Sequence, residues 1–186
     1  LYLALKGSQN YNLALEDSDP DCIAIVIPSL DYMILGKELI SKELHLENDE
    51  KITLVDIRKL PIMLSKQDTS ILESLVTEFI IINKKYHNQV TNIINMVDDI
   101  VENCGINIYH SLIGMLSSCY NKRTIADKLE INGCESIKYD YNSKNVYQEL
   151  RLYQLIYNIY NGLQYRIAIN TYTDDMCETI MDIRKH

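Results

Sequence analysis

The fold is decided near the start of the chain, by LYLALKGSQNYNL at residues 1–13, DSDPD at 17–21 and CIAIVI at 22–27. The first and last of these contain continuous apolar runs, which predict one buried strand in each. Gly7 breaks the first strand, and because it has no Cβ another group can approach the backbone closely. Ser8 adds a hydroxyl and a backbone N–H where a helix can begin, and such positions can hold phosphate.

Acidic residues follow this turn and open the second strand. Asp19 and Asp21 are one residue apart, so both side chains lie on one face at the start of a strand. Two carboxylates on one face suit Mg²⁺ or Mn²⁺, which take oxygen ligands. Asp56 ends a predicted strand at 51–56, and we expect it to complete a three-carboxylate metal site. The alternative is that these Asp and Ser side chains only form turns and cap helices.

The remaining pattern separates a half with short strands from a half with helical periodicity. A hairpin is predicted around Asn48-Asp49-Glu50, and residues 78–82 fit either a strand or a helix. Apolar spacing predicts helices at 29–35, 57–66, 70–76, 86–103, 106–120, 144–162 and 173–184. We therefore expect an α+β protein, with a small mixed β-sheet and flanking helices at 1–83 and a helical C-terminal half at 84–186.

Composition and charge argue against several classes of protein. The 186 residues are 47% hydrophobic and 24% charged, as in globular proteins with a sizeable core. A net charge of −8 argues against non-specific electrostatic binding of nucleic acid. Any phosphate contact would therefore need a few cations at defined positions or a bound metal. The five cysteines form no C-x-x-C pair, which argues against a zinc site.

The chain gives no sign of a membrane or secreted protein. No apolar run approaches the roughly 20 residues of a membrane span, and no secretory signal is recognisable. We therefore expect a cytoplasmic protein with no membrane partner. Because the sequence opens on an apolar stretch without Met, we also expect some residues to precede Leu1.

The spacing of the first motifs resembles that of a known enzyme superfamily. Gly7-Ser8, ten residues and then Asp19-Pro20-Asp21 is similar to the signature of the polymerase-β-like nucleotidyltransferases. In that superfamily a strand and Gly-Ser precede an Asp-x-Asp strand. Tyr11, Leu13 and Ser18 extend the similarity to a bacterial and phage branch that is associated with RNA repair.

Later segments resemble the same branch, so that the similarity spans residues 3–184. The matching segments are Asp56-Ile57-Arg58-Lys59-Leu60, Leu72-Glu73-Ser74-Leu75 and Lys144-Asn145-Val146-Tyr147-Gln148-Glu149-Leu150-Arg151-Leu152, with Gly162 at the expected helix end. Three positions depart from the branch: Gln9 replaces Arg or His, Ala24 replaces Gly, and Gln148 replaces His. These departures bear on the substrate more than on the activity.

The resemblance implies an enzyme that transfers an NMP from an NTP to a hydroxyl and releases pyrophosphate. Asp19, Asp21 and Asp56 would be the catalytic residues and would bind Mg²⁺ or Mn²⁺. The residues expected to bind the nucleotide are Gly7, Ser8, Tyr11, Lys59, Lys144 and Arg151. The implied acceptor is an RNA end, in particular tRNA, in RNA repair or modification.

Two features of the C-terminal half have alternative interpretations. Lys144 and Arg151 are two turns apart on one predicted helix, so they either contact the triphosphate or form a solvated face. Tyr153, Tyr157 and Tyr160 follow the i, i+4, i+7 spacing of a helix stripe. This pattern favours core packing with the hydroxyls at the rim, and the alternative is a stacking platform for a base or an RNA end.

Two other functions are compatible with the sequence. The first is a non-catalytic nucleotide-sensing or interaction module that has retained the fold. Three intact carboxylates argue against it, because a binding module does not need them. The second is a toxin-like nucleotidyltransferase that acts on tRNA or protein and is neutralised by a partner, which the sequence does not distinguish from the repair enzyme.

Overall fold

A computed structural model describes residues 1–11, 13–15, 18, 20–37, 42–45, 51–130 and 142–185. The chain forms two compact units, Leu1–Ile108 and Tyr109–His186. The N-terminal unit contains a β-sheet and helices, whereas the described part of the C-terminal unit is helical. The α+β class is therefore confirmed, and the functional division expected at 1–83 and 84–186 stays a prediction.

A mixed five-stranded sheet organises the described part of the N-terminal unit. Its strands are β1 (Tyr2–Lys6), β2 (Asp21–Val26), β3 (Lys42–His45), β4 (Lys51–Asp56) and β5 (Ile80–Ile82). The strand order is β3-β4-β2-β1-β5, in which β2 and β4 are parallel and the other neighbours are antiparallel. The two strands expected at the start of the chain are confirmed, and the ambiguous segment at 78–82 contains a strand. The two strands of the predicted hairpin, β3 and β4, are antiparallel, whereas Asn48-Asp49-Glu50 lies outside the described residues.

The N-terminal unit also contains short helices. They are α1 (Leu30–Ile34), α2 (Leu60–Ser65), α3 (Thr69–Val76), α4 (His87–Asn95) and α5 (Val97–Asn103), with 3₁₀ turns at Ser8–Tyr11, Ile57–Lys59 and Lys84–Tyr86. Asp68 caps α3, because its carboxylate accepts the N–H groups of Ser70 and Ile71. The single helix predicted at 86–103 is instead divided at Met96.

One face of the sheet contributes to the core of this unit. Tyr2 and Ala4 of β1, Ile23 and Ile25 of β2, and Val55 of β4 are buried. Three apolar residues of α3, a helix that contacts β1, are also almost completely buried: Ile71, Leu72 and Leu75. The alternation of strand side chains places the active-site candidate Asp21 on this same face, at the start of β2.

The C-terminal unit is built from α6 (Gly105–Glu130), which begins in the first unit, α7 (Ser143–Tyr160), α8 (Tyr165–Ala168) and α9 (Asp174–Lys185). Asn158 connects α7 to the segment around α8, since its amide donates to the carbonyls of Ala168, at 3.0 Å, and Thr171, at 2.8 Å. The periodicity did not predict α8, which has only four residues. Of the helices in the described ranges, none is long and apolar enough to cross a bilayer.

Candidate functional site

The Gly-Ser turn lies where β1 ends. Gly7 has a φ of +87°, a conformation that side chains with a Cβ rarely adopt. Ser8 then begins a 3₁₀ turn, closed by hydrogen bonds from the Asn10 N–H to the Gly7 carbonyl and from the Leu13 N–H to the Ser8 carbonyl, both 3.0 Å. The chain thus reverses sharply at the residue pair that was expected to approach a nucleotide.

The antiparallel register brings Asp21 next to this turn. Lys6 pairs with Asp21 across β1 and β2, so the last residue of one strand faces the first residue of the other. A Cβ placed on Gly7 would lie 3.6 Å from Asp21 Oδ2. The structure therefore brings together the Gly7-Ser8 turn and one of the predicted metal-binding carboxylates.

Glu73 of α3 fixes the turn from the other side. Its buried carboxylate oxygen Oε1 accepts a short hydrogen bond from the Gly7 N–H and a second one, 3.1 Å long, from the Asn10 amide. Asn10 also donates to the Leu5 carbonyl and accepts from the Thr77 hydroxyl. Glu73 lies in one of the segments that resemble the nucleotidyltransferase branch, but no role was predicted for it. The structure shows that its hydrogen bonds hold the turn.

Two lysines flank Asp21 in the sheet. Lys6 of β1 and Lys51 of β4 are its register partners on either side. Side chains of directly paired residues on neighbouring strands lie on the same face, roughly 5 Å apart at Cβ. Neither lysine was predicted as a site residue, because only the register of three strands places them beside Asp21.

Asp56 does not lie next to Asp21 in the sheet, and the predicted three-carboxylate site stays a prediction. Asp21 pairs with Lys51 at the start of parallel strands β2 and β4, whereas Asp56 pairs with Val26 at their end. Five residues along β4 correspond to about 16 Å. The sequence alone did not show which end of β4 lies beside Asp21.

Asp56 instead forms a structural ion pair. Its side chain is 1% exposed and accepts from Arg58 at three points: the backbone N–H at 2.9 Å, Nε at 3.0 and 3.1 Å, and Nη2 at 2.6 Å. Arg58 Nη2 also donates to the Lys37 carbonyl. Asp56 thus caps the 3₁₀ turn at Ile57–Lys59 and, through Arg58, contacts the segment after α1. The turn-and-cap interpretation is the better account of this residue.

The structure describes only part of the predicted metal site. Asp19 lies outside the described residues. In the described ranges, no group of three or more His, Cys, Asp or Glu side chains is placed to hold one metal ion. Asp21 is therefore the predicted metal ligand that the described residues place beside Gly7.

The other nucleotide-binding candidates of this unit have different surroundings. Tyr11 is buried, 5% exposed, so its ring belongs to the core. Lys59 is half-buried and lines a cavity of about 270 Å³ over the sheet, together with Lys6, Thr53, Asp56, Asp68 and Ser70. Lys59 and Lys6 therefore border the same cavity, whose lining also includes the apolar side chains of Ile23, Val55 and Met63.

In the C-terminal unit, the two predicted cations differ in exposure. Lys144 is exposed near the start of α7, whereas Arg151 is only 6% exposed. Burial and then the Glu149 carboxylate raise the pKa of the nearby Cys119 thiol, whereas Lys122 and Arg151 oppose this shift. The solvated-face interpretation therefore fits Lys144 but not Arg151.

The tyrosine stripe lies on the surface of this unit. Tyr153, Tyr157 and Tyr160 are 55%, 63% and 79% exposed, so the expectation that they pack in the core is wrong. Tyr147 and Tyr165 take core positions instead. The i, i+4, i+7 spacing correctly indicated a common helix face, but the spacing alone does not decide whether that face is covered.

Comparison with known proteins adds no functional assignment to this geometry. The chain matches no protein-family model, no curated protein and no solved structure.

Proposed function

We propose that the chain is a metal-dependent nucleotidyltransferase that moves an NMP from an NTP to a hydroxyl acceptor. The observation that carries this proposal is the contact between the Gly7-Ser8 turn and Asp21, at the shared end of β1 and β2. The mixed sheet around this contact is compatible with the nucleotidyltransferase core that the sequence resembles.

The residues near Gly7 have separate roles in this proposal. Asp21, together with Asp19 from the sequence, would hold the ion, which when bound neutralises charge on the triphosphate. Ser8 offers a hydroxyl to a phosphate, and Lys6 and Lys51 provide two positive charges on the face of Asp21. Glu73 keeps the Gly7 backbone in place. No carboxylate is assigned to the proton of the attacking hydroxyl, because Asp56 is about 16 Å away along the strands.

An RNA end, in particular tRNA, is the proposed acceptor, and the net charge of −8 limits how it can be held. The location of the protein is proposed to be cytoplasmic. A toxin-like enzyme acting on tRNA or protein would use the same residues, so the acceptor has to be found by experiment.

The test is transfer of label from each of the four α-³²P-labelled NTPs to total RNA or to protein, with Mg²⁺ or Mn²⁺. We expect metal-dependent labelling that is lost in Asp19→Ala and Asp21→Ala. Asp31→Ala is the matched control, because Asp31 is an exposed carboxylate of α1 in the same unit. Labelling that survives in Asp21→Ala, or that is lost equally in Asp31→Ala, would contradict the proposal.

A second candidate is a nucleotide-binding module without transferase activity. It is favoured by one specific observation: Asp21 lies between Lys6 and Lys51, whereas Asp56 is at the other end of the strands. Two lysines could bind a triphosphate without a metal bridge. Isothermal titration of NTPs in EDTA distinguishes the candidates. An affinity that is unchanged in EDTA, with no transfer of label, supports the binding module, and an affinity that depends on Mg²⁺ supports the transferase.

A further inference from the structure

A second candidate site lies between two helices of the C-terminal unit. A cavity of about 420 Å³ opens between α6 and α7. Its lining consists of Leu116, Ser117, Tyr120 and Asn121 from α6, and Glu149 and Tyr153 from α7. Cavities of this size accommodate small ligands or a side chain of a partner.

Two aromatic rings from different helices border this cavity. Tyr120 and Tyr153 are each 55% exposed, although tyrosine rings are usually mostly buried. The face of an aromatic ring carries negative electrostatic potential and attracts cations that lie over it. A planar or compact cation would therefore gain contact with both rings by entering the cavity.

The lining of the cavity carries negative formal charge. Among the described residues that border the cavity, only Glu149 carries a formal charge. Glu149 and Tyr153 are four residues apart on α7 and so lie on the same side of that helix. Ser117 and Asn121 add a hydroxyl and an amide oxygen, which accept hydrogen bonds. Nothing in this lining compensates the charge of a phosphate or a carboxylate.

The electrostatic influence of Glu149 is seen at a neighbouring residue. Burial raises the pKa of the Cys119 thiol and the Glu149 carboxylate raises it further, whereas Lys122 and Arg151, which do not line the cavity, lower it by smaller amounts. The net charge of −8 adds long-range attraction for cations and repulsion for polyanions.

We propose that this cavity binds an organic cation with a guanidinium or ammonium group. Such a cation would lie between the rings of Tyr120 and Tyr153 and form an ion pair with Glu149. The group could belong to a free small molecule or to an Arg or Lys side chain of a protein partner. This site involves none of the residues that carry the proposed transferase function.

The test is isothermal titration calorimetry of the full chain with agmatine, tetramethylammonium and the peptide acetyl-Gly-Arg-Gly-amide, with cytidine as a neutral planar ligand. We expect the cations to bind and cytidine to bind more weakly. Glu149→Gln should weaken the binding of agmatine by about tenfold, and Tyr153→Leu should weaken it several-fold. Tyr153→Phe, which keeps the ring, should retain binding. Tyr160→Leu is the matched control, since Tyr160 is exposed on the same helix outside the cavity.

The affinities distinguish the source of the cation. A peptide that binds at least about tenfold more tightly than agmatine indicates a protein partner, and the reverse order indicates a free small molecule. The proposal is overturned if no cation binds at millimolar concentration, if cytidine binds more tightly than agmatine, or if Glu149→Gln leaves the affinity unchanged. Thermal melting checks the fold of each variant. If Glu149→Gln does not fold, the exposed Tyr153→Leu variant carries the test alone.

Discussion

The two ends of the parallel strands β2 and β4 carry an aspartate each, and these aspartates have opposite environments. Asp21 is exposed, lies beside Gly7 and has Lys6 and Lys51 as its register partners. Asp56 is buried and is bound by the guanidinium and the backbone N–H of Arg58. The first carboxylate is accessible to a ligand, whereas the lone pairs of the second are already used within the fold.

This difference shows how to separate a binding carboxylate from a structural one. A carboxylate that is desolvated must be compensated by hydrogen bonds or an ion pair, and Asp56 obtains both from a residue two positions away. Glu73 is a third case: it is buried, 8% exposed, but its donors are the backbone of Gly7 and the amide of Asn10. The following substitutions test these assignments.

The largest loss of stability is expected for Asp56→Ala. This change leaves the Arg58 guanidinium without its carboxylate and removes the cap of the turn at Ile57–Lys59. Since Arg58 is one-third exposed, we expect a decrease of about 2–3 kcal/mol in the free energy of unfolding, below the full cost for a buried pair. Urea denaturation measures this change. Asp21→Ala is the control and should cost less than about 1 kcal/mol. Equal losses would remove the distinction between the two ends.

The next largest effect is expected for Glu73→Ala. The variant removes the side-chain acceptor of the Gly7 N–H and one of the two acceptors of the Asn10 amide, which costs about 1–3 kcal/mol of unfolding free energy. Glu73→Gln keeps a carbonyl oxygen and should lose less than half as much. Hydrogen exchange provides a local readout, since the Gly7 amide should exchange faster in the alanine variant. An unchanged exchange rate would mean that Glu73 does not hold the turn.

A smaller effect is expected for Gly7→Ala. The φ of +87° strains any residue with a Cβ, at a cost of about 1–2 kcal/mol. Gly162→Ala is a matched control, because Gly162 has a φ of +83° and no atom within 4 Å of its added Cβ. Both variants should lose similar stability in urea, but only Gly7→Ala should weaken NTP binding. If both variants bind NTP like the wild type, the turn does not form part of the nucleotide site.

The smallest effect concerns Tyr2, which attaches β1 to α3 through a 2.9 Å hydrogen bond with Ser74. Burial raises the pKa of Tyr2 from 10.0 to about 12, and the hydrogen bond with Ser74 opposes this shift. The Tyr2 hydroxyl therefore loses its proton at a lower pH in the unfolded chain than in the folded chain. The free energy of unfolding should fall as the pH rises from 10.0 to about 12. Urea denaturation at several pH values should show a shallower fall for Tyr2→Phe. A fall of equal slope in both proteins would contradict the assignment.

Much of the fold was predictable because local patterns determine it. The apolar runs before Gly7 and after Asp21 predicted both central strands, and the antiparallel pairing of β3 and β4 agrees with the hairpin that the sequence predicted. The break at Met96 and the short helix α8 were missed. A break in a periodic segment and a single helical turn both depend on packing that periodicity does not register.

The sequence predicted the candidate site only where a single reversal of the chain brings its residues together. Residues Gly7 and Asp21 lie on strands that are neighbours in sequence, so their motif spacing was enough to suggest their contact. The roles of Asp56, Lys51 and Glu73 depend on elements that are distant in sequence. Their positions follow from the register of β4 against β2 and from the packing of α3 on β1.

The sequence by itself determined the α+β class, the central strands and the juxtaposition of the Gly7-Ser8 turn with Asp21. These properties follow from hydrophobic periodicity and from turns, which act over a few residues. The tertiary structure alone decided that Asp56 pairs with Arg58 and that Tyr153, Tyr157 and Tyr160 are exposed. Burial and strand register are set by the balance of contacts across the whole unit, and a shift of one residue in pairing would reverse the face of every side chain.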